Sequence, residues 1–243
     1  MSKITYAITG ASRGLGFGYA QALLAADPQI NVIALCRNPS ASTQLHELKK
    51  QYQGRVEIVQ HEATSEESAV QAAKEVEQLV GSNGIDTLIV NAGIISGGFA
   101  GVKHKDAVKW LKSDMEVNVY GLMYTTLAFL PLLEKGNKKQ IIFMSSIIGS
   151  LGFPMARTPA AGTYAMTKVA VNMFASKLSG ELQGFTIVPY HPGYVQTDMN
   201  GGKEGNAQIS VEEAVDSGVK VFLSLTPEDN MKFKQYTGET LPW

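Results

Sequence analysis

Short runs of β-branched and apolar residues alternate along the chain with longer segments of helical period. This alternation is typical of parallel strands joined by crossover helices. We therefore expect an α/β protein built on a doubly wound, seven-stranded parallel sheet with helices on both faces. The predicted strands are residues 3–9, 31–36, 55–60, 86–90, 140–145, 185–190 and 232–236.

The length of the chain fits one α/β domain with a large core. The chain has 243 residues, of which 44% are hydrophobic, and it shows no repeat, low-complexity tract or interdomain linker. We expect a single domain over residues 1–243. Residues 64–67 and 210–213 have the spacing of capping boxes, so their acidic residues are expected to be helix caps. Prolines 28, 39, 131 and 192 are expected in or beside connections.

Composition and charge exclude several classes of function. The net charge is -1, and no stretch combines clustered Lys and Arg with aromatic residues, so nucleic acid is not expected as a partner. The longest apolar stretch, 121–133, is shorter than the ~20 residues of a membrane span and is expected to be a buried helix. The N-terminal residues show no export signal. We expect a cytoplasmic protein that binds no membrane.

The cysteine and the histidines predict neither a disulfide nor a metal site. Cys36 is the single cysteine, so an internal disulfide cannot form. The four histidines lack metal-ligand spacing with one another or with Cys36, so no metal is predicted.

A glycine-rich turn follows the first predicted strand. Gly10, Gly14 and Gly16 stand in Thr9-Gly-Ala-Ser-Arg-Gly-Leu-Gly16, between a strand and a helix. Glycines there let the backbone turn tightly and bring amide donors to a pyrophosphate at the helix N-terminus. The turn therefore predicts a dinucleotide site on a Rossmann fold. Its spacing differs from G-x-G-x-x-G, and an ordinary glycine turn is the alternative.

The second predicted strand ends in Arg37 and Asn38, where an NAD-selective fold usually has an acidic residue for the adenosine ribose. Arg13, in the glycine turn, adds a second guanidinium. Such groups suit a 2′-phosphate, so the missing acid favours NADP(H) over NAD. The alternative is that both arginines are simply solvated.

Tyr164 and Lys168 stand four residues apart on a predicted helix, so their side chains project from the same face. Lowering the pKa of a phenol by roughly three units needs about 4 kcal/mol. A cation about 4 Å away supplies roughly that much at an effective dielectric near 20. We expect Lys168 to lower the pKa of Tyr164, and Tyr164 to donate a proton to a carbonyl oxygen as hydride arrives.

These motifs, in this order, resemble the short-chain dehydrogenase/reductase superfamily and its carbonyl-reductase-like branch. The family's Asn-Ala-Gly stands at 91–93, and its Pro-Gly with a trailing Thr stands within 192–197. The resemblance implies that Ser146 orients the carbonyl, that Lys168 also binds the nicotinamide ribose, and that Asn118 fixes a water relaying protons to Lys168. Ser145 is the rival for the serine role. The implied catalytic residues are Asn118, Ser146, Tyr164 and Lys168.

The resemblance also implies which residues bind the cofactor. Glu62 departs from the family pattern, which usually has an Asp followed by an apolar residue at the adenine. The implied residues are Gly10, Ser12, Arg13, Gly14, Leu15, Gly16, Arg37, Asn38, Glu62, Ala63, Asn91, Ala92, Gly93, Tyr164, Lys168, Pro192, Gly193, Val195 and Thr197.

Two connections are expected to shape the substrate pocket, because ligands of open α/β sheets sit outside the carboxyl ends of the strands. Residues 150–162 precede Tyr164 and are longer than is common in the family, so they should bulge beside the site. Residues 200–208 include Gly201, Gly202 and Gly205. The aromatic residues Phe153, Tyr194 and Trp243 line the pocket or belong to the core or rim.

The sequence therefore predicts an NADPH-dependent reductase of ketones or aldehydes. Alternatives are an NAD-linked alcohol dehydrogenase on the same fold and a sensor that binds NADP without turnover. The retained Ser, Tyr and Lys favour an enzyme. The resemblance implies a homodimer or homotetramer, paired through the helices that hold Asn118 and Tyr164, and the sequence does not name the substrate.

Overall fold

Seven strands form one parallel sheet in the computed structural model, which describes residues 3–200 and 206–243. Their order is β3-β2-β1-β4-β5-β6-β7. All seven predicted strands are confirmed, with ends within two residues of the prediction. The strands are β1 Ile4–Thr9, β2 Ile30–Cys36, β3 Val56–Gln60, β4 Thr87–Val90, β5 Gln140–Met144, β6 Thr186–His191 and β7 Lys234–Gln235.

The connections between the strands carry helices, which gives the predicted doubly wound fold with helices on both faces of the sheet. The strand order reverses between β1 and β4, which pair directly. In open α/β sheets such a reversal marks the crevice where ligands bind. The helices are α1 Gly14–Ala26, α2 Thr43–Gln51, α3 Glu66–Val80, α4 Ala107–Met115, α5 Leu122–Lys135, α6 Gly162–Glu181 and α7 Val211–Ser224.

The central strands are mostly apolar because both faces of a parallel sheet are covered. Every residue of β4 and β5 is buried. Phe143 of β5 packs on Phe174 of α6 with ring centroids 5.8 Å apart. Tyr190 of β6 packs on Phe222 of α7 at 4.8 Å. These aromatic contacts fix β5, which is followed by the predicted catalytic residue Ser146, and β6, which is followed by the predicted cofactor residues Pro192 and Gly193.

Two compact units make up the described chain. The first consists of residues 3–92 and 121–142, and the second of residues 93–120, 143–200 and 206–243. In the first unit, the buried carboxylate of Asp86 accepts hydrogen bonds from the Thr5 amide at 2.8 Å and the Asn137 amide at 3.0 Å. It ties the start of β1 to the turn before β5. A single domain over residues 1–243 stays a prediction.

The helix caps and one proline differ in part from the local sequence signals. Ser210 caps α7 as predicted, whereas the cap of α3 is Ser65 rather than Thr64, because it is Ser65 that accepts the Ser68 amide. The apolar stretch after Gly121 is a helix, as expected. Pro131 lies inside that helix, α5, so its placement in a connection was wrong. No helix among the described residues is long and apolar enough to cross a membrane.

Candidate active site

Tyr164 and Lys168 lie on the same face of α6, as predicted. The Lys168 ammonium nitrogen is 5.3 Å from the centroid of the Tyr164 ring. Tyr164 is in the first turn of the helix, and Lys168 follows one turn later. The Lys168 side chain is almost fully buried. Burial lowers the pKa of Lys168 to about 8. Its ammonium donates to the Met144 carbonyl oxygen, at the end of β5, over 2.6 Å.

The pKa of the Tyr164 phenol lies above its ordinary value of 10. Burial is the largest cause, and the negative charge of Asp114 adds to it. The phenol therefore does not have the lowered pKa that was expected, and the contribution of Lys168 to it stays a prediction. Burial disfavours the phenolate because it removes the charge from water, and burial also makes Lys168 less readily protonated.

The two adjacent serines have different surroundings. Ser145 is buried, and its hydroxyl donates to the Asn172 side-chain oxygen at 2.6 Å. Ser146 is half-buried and precedes the short helical turn Ile147–Gly149. Its hydroxyl has no hydrogen-bond partner within the described part of the chain. Ser146 is thus the serine whose hydroxyl can turn to a ligand.

Asn118 lies in a π-helical turn, Glu116–Gly121, between α4 and α5. Its buried side-chain oxygen accepts the Ile94 amide at 2.8 Å. Its side-chain nitrogen donates to the Ile94 carbonyl at 2.9 Å and to the Thr167 hydroxyl at 3.1 Å. The amide therefore fastens the segment after β4 to the helix of Tyr164. The water relay to Lys168 stays a prediction.

The glycine turn of the first unit fits a phosphate group. Gly10 and Gly14 have φ of 63° and 55°, in the left-handed region that favours glycine. A Cβ atom on Gly16 would collide with the Gly10 carbonyl oxygen. Helix α1 begins here with no side-chain cap at Arg13 and no acidic residue in its first turn. Its first amides are therefore available to an anion.

Arg13 and Arg37 lie near one backbone hydrogen bond that joins the turn to β2. The Ala11 amide donates to the Leu35 carbonyl at 3.2 Å. Arg13 lies two residues after Ala11, Arg37 lies two residues after Leu35, and both arginines are exposed. The side-chain oxygen of Asn38 accepts the Ser40 hydroxyl at 2.8 Å and so shapes the turn after β2. Both arginines thus stand at one edge of the turn.

Asn91 and Ala92 brace the glycine turn from the end of β4. Their amides donate to the Thr9 hydroxyl at 2.9 and 3.0 Å, and the Asn91 side chain donates to the Thr9 carbonyl at 3.0 Å. Ser12 and Leu15 are half-buried members of the turn itself, and Gly93 begins the second unit. Asn91 and Ala92 therefore hold the turn in shape.

Glu62 and Ala63 follow β3 and lie beside the start of α5. The Glu62 amide donates to the Ser68 hydroxyl at 2.8 Å, and its carboxylate accepts the Thr64 hydroxyl at 3.3 Å. A Cβ atom on Gly121 would collide with the Ala63 carbonyl oxygen, so glycine permits this close approach. Both residues are half-buried and so still open to a ligand.

The segment after β6 carries the predicted residues Pro192, Gly193, Val195 and Thr197. Gly193 has φ of 92°. Val195 is buried and pairs with Ile209, which holds the segment in place. The Tyr194 ring meets the Phe99 ring edge to face, with centroids 5.9 Å apart. Gly201, Gly202 and Gly205 lie outside the described residues.

The long connection before Tyr164 is tied to the C-terminal residues. The Ser150 hydroxyl donates to the Pro242 carbonyl at 2.6 Å, and the Gly152 amide donates to the Trp243 carbonyl at 2.7 Å. The Trp243 ring stacks on Phe233 at 5.6 Å, and the residue is 48% exposed. Trp243 is thus not a core residue, while Phe153 within the connection is half-buried.

Sequence reasoning missed Asp114, a fully buried residue whose charge raises the pKa of Tyr164. The signal that could have found it is its position, one helical turn before Asn118 in the chain. A carboxylate at that spacing lies on the same side of a helix as the asparagine.

The seven-stranded sheet and its helices define a protein of the Rossmann type. The family model described as short chain dehydrogenase matches residues 5–208, and the chain therefore belongs to that family of oxidoreductases. It is 34% identical over 254 residues to an uncharacterised oxidoreductase of Schizosaccharomyces pombe, covering 98% of this chain and 97% of that protein.

Solved structures of carbonyl reductases share the fold. The NADPH-bound carbonyl reductase from chicken fatty liver superposes with a TM-score of 0.90 at 30% identity, covering 100% of this chain and 96% of that one. The carbonyl reductase Sniffer of Drosophila melanogaster gives a TM-score of 0.89 at 26% identity, covering both chains fully. The seven-stranded Rossmann fold and the predicted family are therefore confirmed.

Proposed function

We propose that this protein is an NADPH-dependent reductase that converts a ketone or aldehyde into an alcohol. The observation that carries the proposal is that three predicted catalytic residues lie in the second unit. Tyr164 and Lys168 share one face of α6, and the Ser146 hydroxyl, at the end of β5, has no competing partner in the described chain. The likeness to structures described as carbonyl reductases supports it.

Tyr164 is the proposed general acid. Its pKa is raised by burial, so the phenol is protonated at neutral pH. When hydride adds to a carbonyl carbon, the oxygen becomes an alkoxide, which is a far stronger base than a phenolate. The phenol therefore stays protonated until negative charge develops on the carbonyl oxygen, and it then transfers its proton to that oxygen. A nicotinamide cofactor bound to the enzyme supplies the hydride.

Ser146 and Lys168 support the proton donor. The Ser146 hydroxyl donates a hydrogen bond to the carbonyl oxygen and stabilises the charge that develops there. The Lys168 ammonium uses one of its donors on the Met144 carbonyl, which leaves others for the ribose hydroxyls of the cofactor. Asn118 holds the helix of Tyr164 in place through Thr167. The residues of the catalytic set thus have distinct tasks.

NADP(H) is the proposed cofactor. The open amides at the start of α1 and the glycines of the turn suit the pyrophosphate, and Arg13 with Arg37 suits a 2′-phosphate. The similar chicken enzyme is described as NADPH-bound. We propose that the other cofactor contacts come from the residues after β3, β4 and β6 named above. An NAD-linked alcohol dehydrogenase is the rival reading.

We also propose that the protein acts in the cytoplasm. We further propose that it self-associates through α6. Met166 and Met173, seven residues apart on α6, are 48% and 57% exposed. Exposed apolar residues at this spacing form one stripe along a helix, which suits contact with a second copy. Replacing both by Lys should lower the molecular mass measured by light scattering if this stripe forms the interface. An unchanged mass would contradict it.

The test is a panel of ketones and aldehydes, followed by the loss of NADPH absorbance. The wild type is expected to reduce at least one of these compounds. Tyr164→Phe should lower the rate of that reduction by about 10²- to 10⁴-fold while leaving NADPH affinity nearly unchanged. Tyr52→Phe makes the same chemical change on a residue outside the site and should leave turnover unchanged. Full activity in Tyr164→Phe would remove Tyr164 as the acid.

The same panel separates the reductase from a sensor. A protein that binds NADPH tightly but turns over no carbonyl compound, in either direction, would support the non-catalytic alternative. Binding is measured by the fluorescence of NADPH, which does not depend on turnover.

A further inference from the structure

An asparagine lies buried in the middle of α6, on the side of the helix that carries Tyr164. Asn172 follows Lys168 by four residues, as Lys168 follows Tyr164, so the three side chains project from one side of the helix. Asn172 is 6% exposed. Asparagine is a poor helix former, and burying its amide is costly unless the amide is hydrogen-bonded. The partners of this amide therefore indicate what it contributes.

Both ends of the Asn172 amide bind the segment that contains Ser146. Its oxygen accepts the Ser145 hydroxyl at 2.6 Å, and its nitrogen donates to the Gly149 carbonyl at 3.1 Å. Ser145 immediately precedes Ser146, and Gly149 ends the short helical turn that follows it. The opposite orientation of the amide would set its oxygen against the Gly149 carbonyl oxygen. The two bonds thus fix the amide and enclose Ser146 in the sequence.

The turn after Ser146 lies directly against α6. The Gly149 amide donates to the Ser146 carbonyl at 2.8 Å, so the backbone of the turn is closed by its own hydrogen bond. A Cβ atom on Gly149 would come within 2.8 Å of the Lys168 Cβ atom. Glycine therefore permits this close approach, and the bond from Asn172 holds the turn there.

The two sides of Ser146 are held by different contacts. On the strand side, the Ser145 amide donates to the Tyr190 carbonyl at 2.8 Å, which extends the sheet by one residue. On the other side, the bond from Asn172 to Gly149 joins the turn to α6. The distance between Ser146 and the helix of Tyr164 thus depends on the second contact.

We propose that Asn172 is a positioning residue that fixes the Ser146 hydroxyl relative to Tyr164. It acts through Ser146, by holding the turn after that residue against α6. This inference rests on the proposed reductase function, in which Ser146 and Tyr164 both donate to one carbonyl oxygen. Two donors can meet at one atom only if the segments that carry them are held together. A displacement of about 1 Å can therefore cost about 10²-fold in rate.

The test is a double-mutant cycle between Asn172 and Ser146. Asn172→Leu keeps the approximate size of the side chain and removes both hydrogen bonds. It should lower kcat for carbonyl reduction by about 10- to 100-fold. In a protein that already carries Ser146→Ala, the same change should lower kcat by less than about two-fold further, because no hydroxyl remains to be misplaced. The affinity for NADPH, measured by its fluorescence, should be nearly unchanged in each protein.

Asn230→Leu is the matched control. Asn230 also joins α6 to a strand, because its side-chain oxygen accepts the Ile187 amide at 3.0 Å and its nitrogen donates to the Ser179 hydroxyl at 3.0 Å. Ser179 stands near the end of α6, whereas Tyr164 stands at its start. Asn230→Leu should lower Tm, as Asn172→Leu does, but it should leave kcat nearly unchanged. A similar fall in kcat in both variants would indicate a general loosening of α6 and contradict the proposal.

A second measurement needs no turnover. The amides of Gly149 and Ser150 donate to carbonyls within the turn, so their hydrogen exchange reports how firmly the turn is held. Exchange should be faster in Asn172→Leu than in the wild type and unchanged in Asn230→Leu. If this pattern is found in a protein that reduces no carbonyl compound, the proposed function fails while the effect of Asn172 on the turn stands.

Two further results would overturn the proposal. One is an Asn172→Leu variant that keeps the wild-type kcat, or that loses as much kcat with Ser146→Ala as without it. The other is a Gly149→Ala variant with the wild-type kcat, because a methyl group there must move the turn away from α6. Gly149→Ala leaves Asn172 in place, so this result applies even if Asn172→Leu does not fold.

Discussion

The Lys168 ammonium lies 5.3 Å from the centroid of the Tyr164 ring and donates to the Met144 carbonyl oxygen at 2.6 Å. The lysine is therefore held between the helix of Tyr164 and the end of β5, where Ser146 follows two residues later. This position brings three of the predicted catalytic residues into one part of the second unit. It also buries an ammonium group, which has a measurable cost.

Lys168→Met should raise stability near neutral pH while abolishing activity. The pKa of Lys168 is about 8 in the fold against an ordinary 10.5, so below pH 8 the buried ammonium opposes folding. The variant should gain about 1 to 2 kcal/mol at pH 7, after allowing for the lost bond to Met144. Thermal unfolding should show this as a rise of about 3 °C in Tm.

The advantage of Lys168→Met should fade as pH rises from 8 to 10.5. In that window the folded protein has already lost the proton, whereas the unfolded chain still binds it, so wild-type stability increases with pH relative to the variant. Lys177→Met, on the exposed side of the same helix, should show no such trend. A variant less stable than the wild type at pH 7 would mean that the bond to Met144 outweighs burial.

Arg37→Asp should reverse the preference between the two nicotinamide cofactors. The change removes a guanidinium that suits the 2′-phosphate and adds an acid that suits ribose hydroxyls. We expect the ratio of kcat/KM with NADPH to that with NADH to fall by about 10- to 100-fold. Lys50→Asp makes the same change of charge on exposed α2 and should leave the ratio unchanged. An unaltered ratio in Arg37→Asp would remove Arg37 from the cofactor site.

Substitutions of the two adjacent serines should have different effects, one on activity and the other on stability. Ser146→Ala should lower kcat/KM by about 10²- to 10³-fold with little change in Tm, because its hydroxyl has no partner in the described chain. Ser145→Ala should lower the free energy of unfolding by about 1 to 3 kcal/mol, since the buried oxygen of Asn172 loses its donor. The opposite pattern would assign the catalytic role to Ser145.

The link between residues 150–152 and the C-terminal residues should affect substrate binding more than chemistry. Ser150→Ala removes the bond to Pro242, and Trp243→Ala removes the stack on Phe233. Both should loosen the connection before Tyr164 and raise KM for bulky ketones several-fold, with kcat within about two-fold of the wild type. Leu79→Ala, which also truncates an exposed apolar residue, is the control. A fall in kcat with unchanged KM would contradict this reading.

Much of the fold could be predicted because its signals are local. Apolar runs of strand length gave all seven strands, and a four-residue spacing placed Tyr164 and Lys168 on one face of α6. The sequence could not tell the direction in which the pKa of Tyr164 moves. That direction depends on how much water the fold removes from the phenol, and no spacing along the chain encodes it.

The sequence by itself determined the order of the elements, the glycine turn and the residue types of the site. Only the tertiary structure decided what each side chain does there. Asp114 and Thr163 are 49 residues apart and Ser145 and Asn172 are 27 apart, yet each pair shares a buried hydrogen bond. Burial and partnership of this kind arise when distant segments pack together, because a side chain's solvation and charge environment are properties of the folded chain.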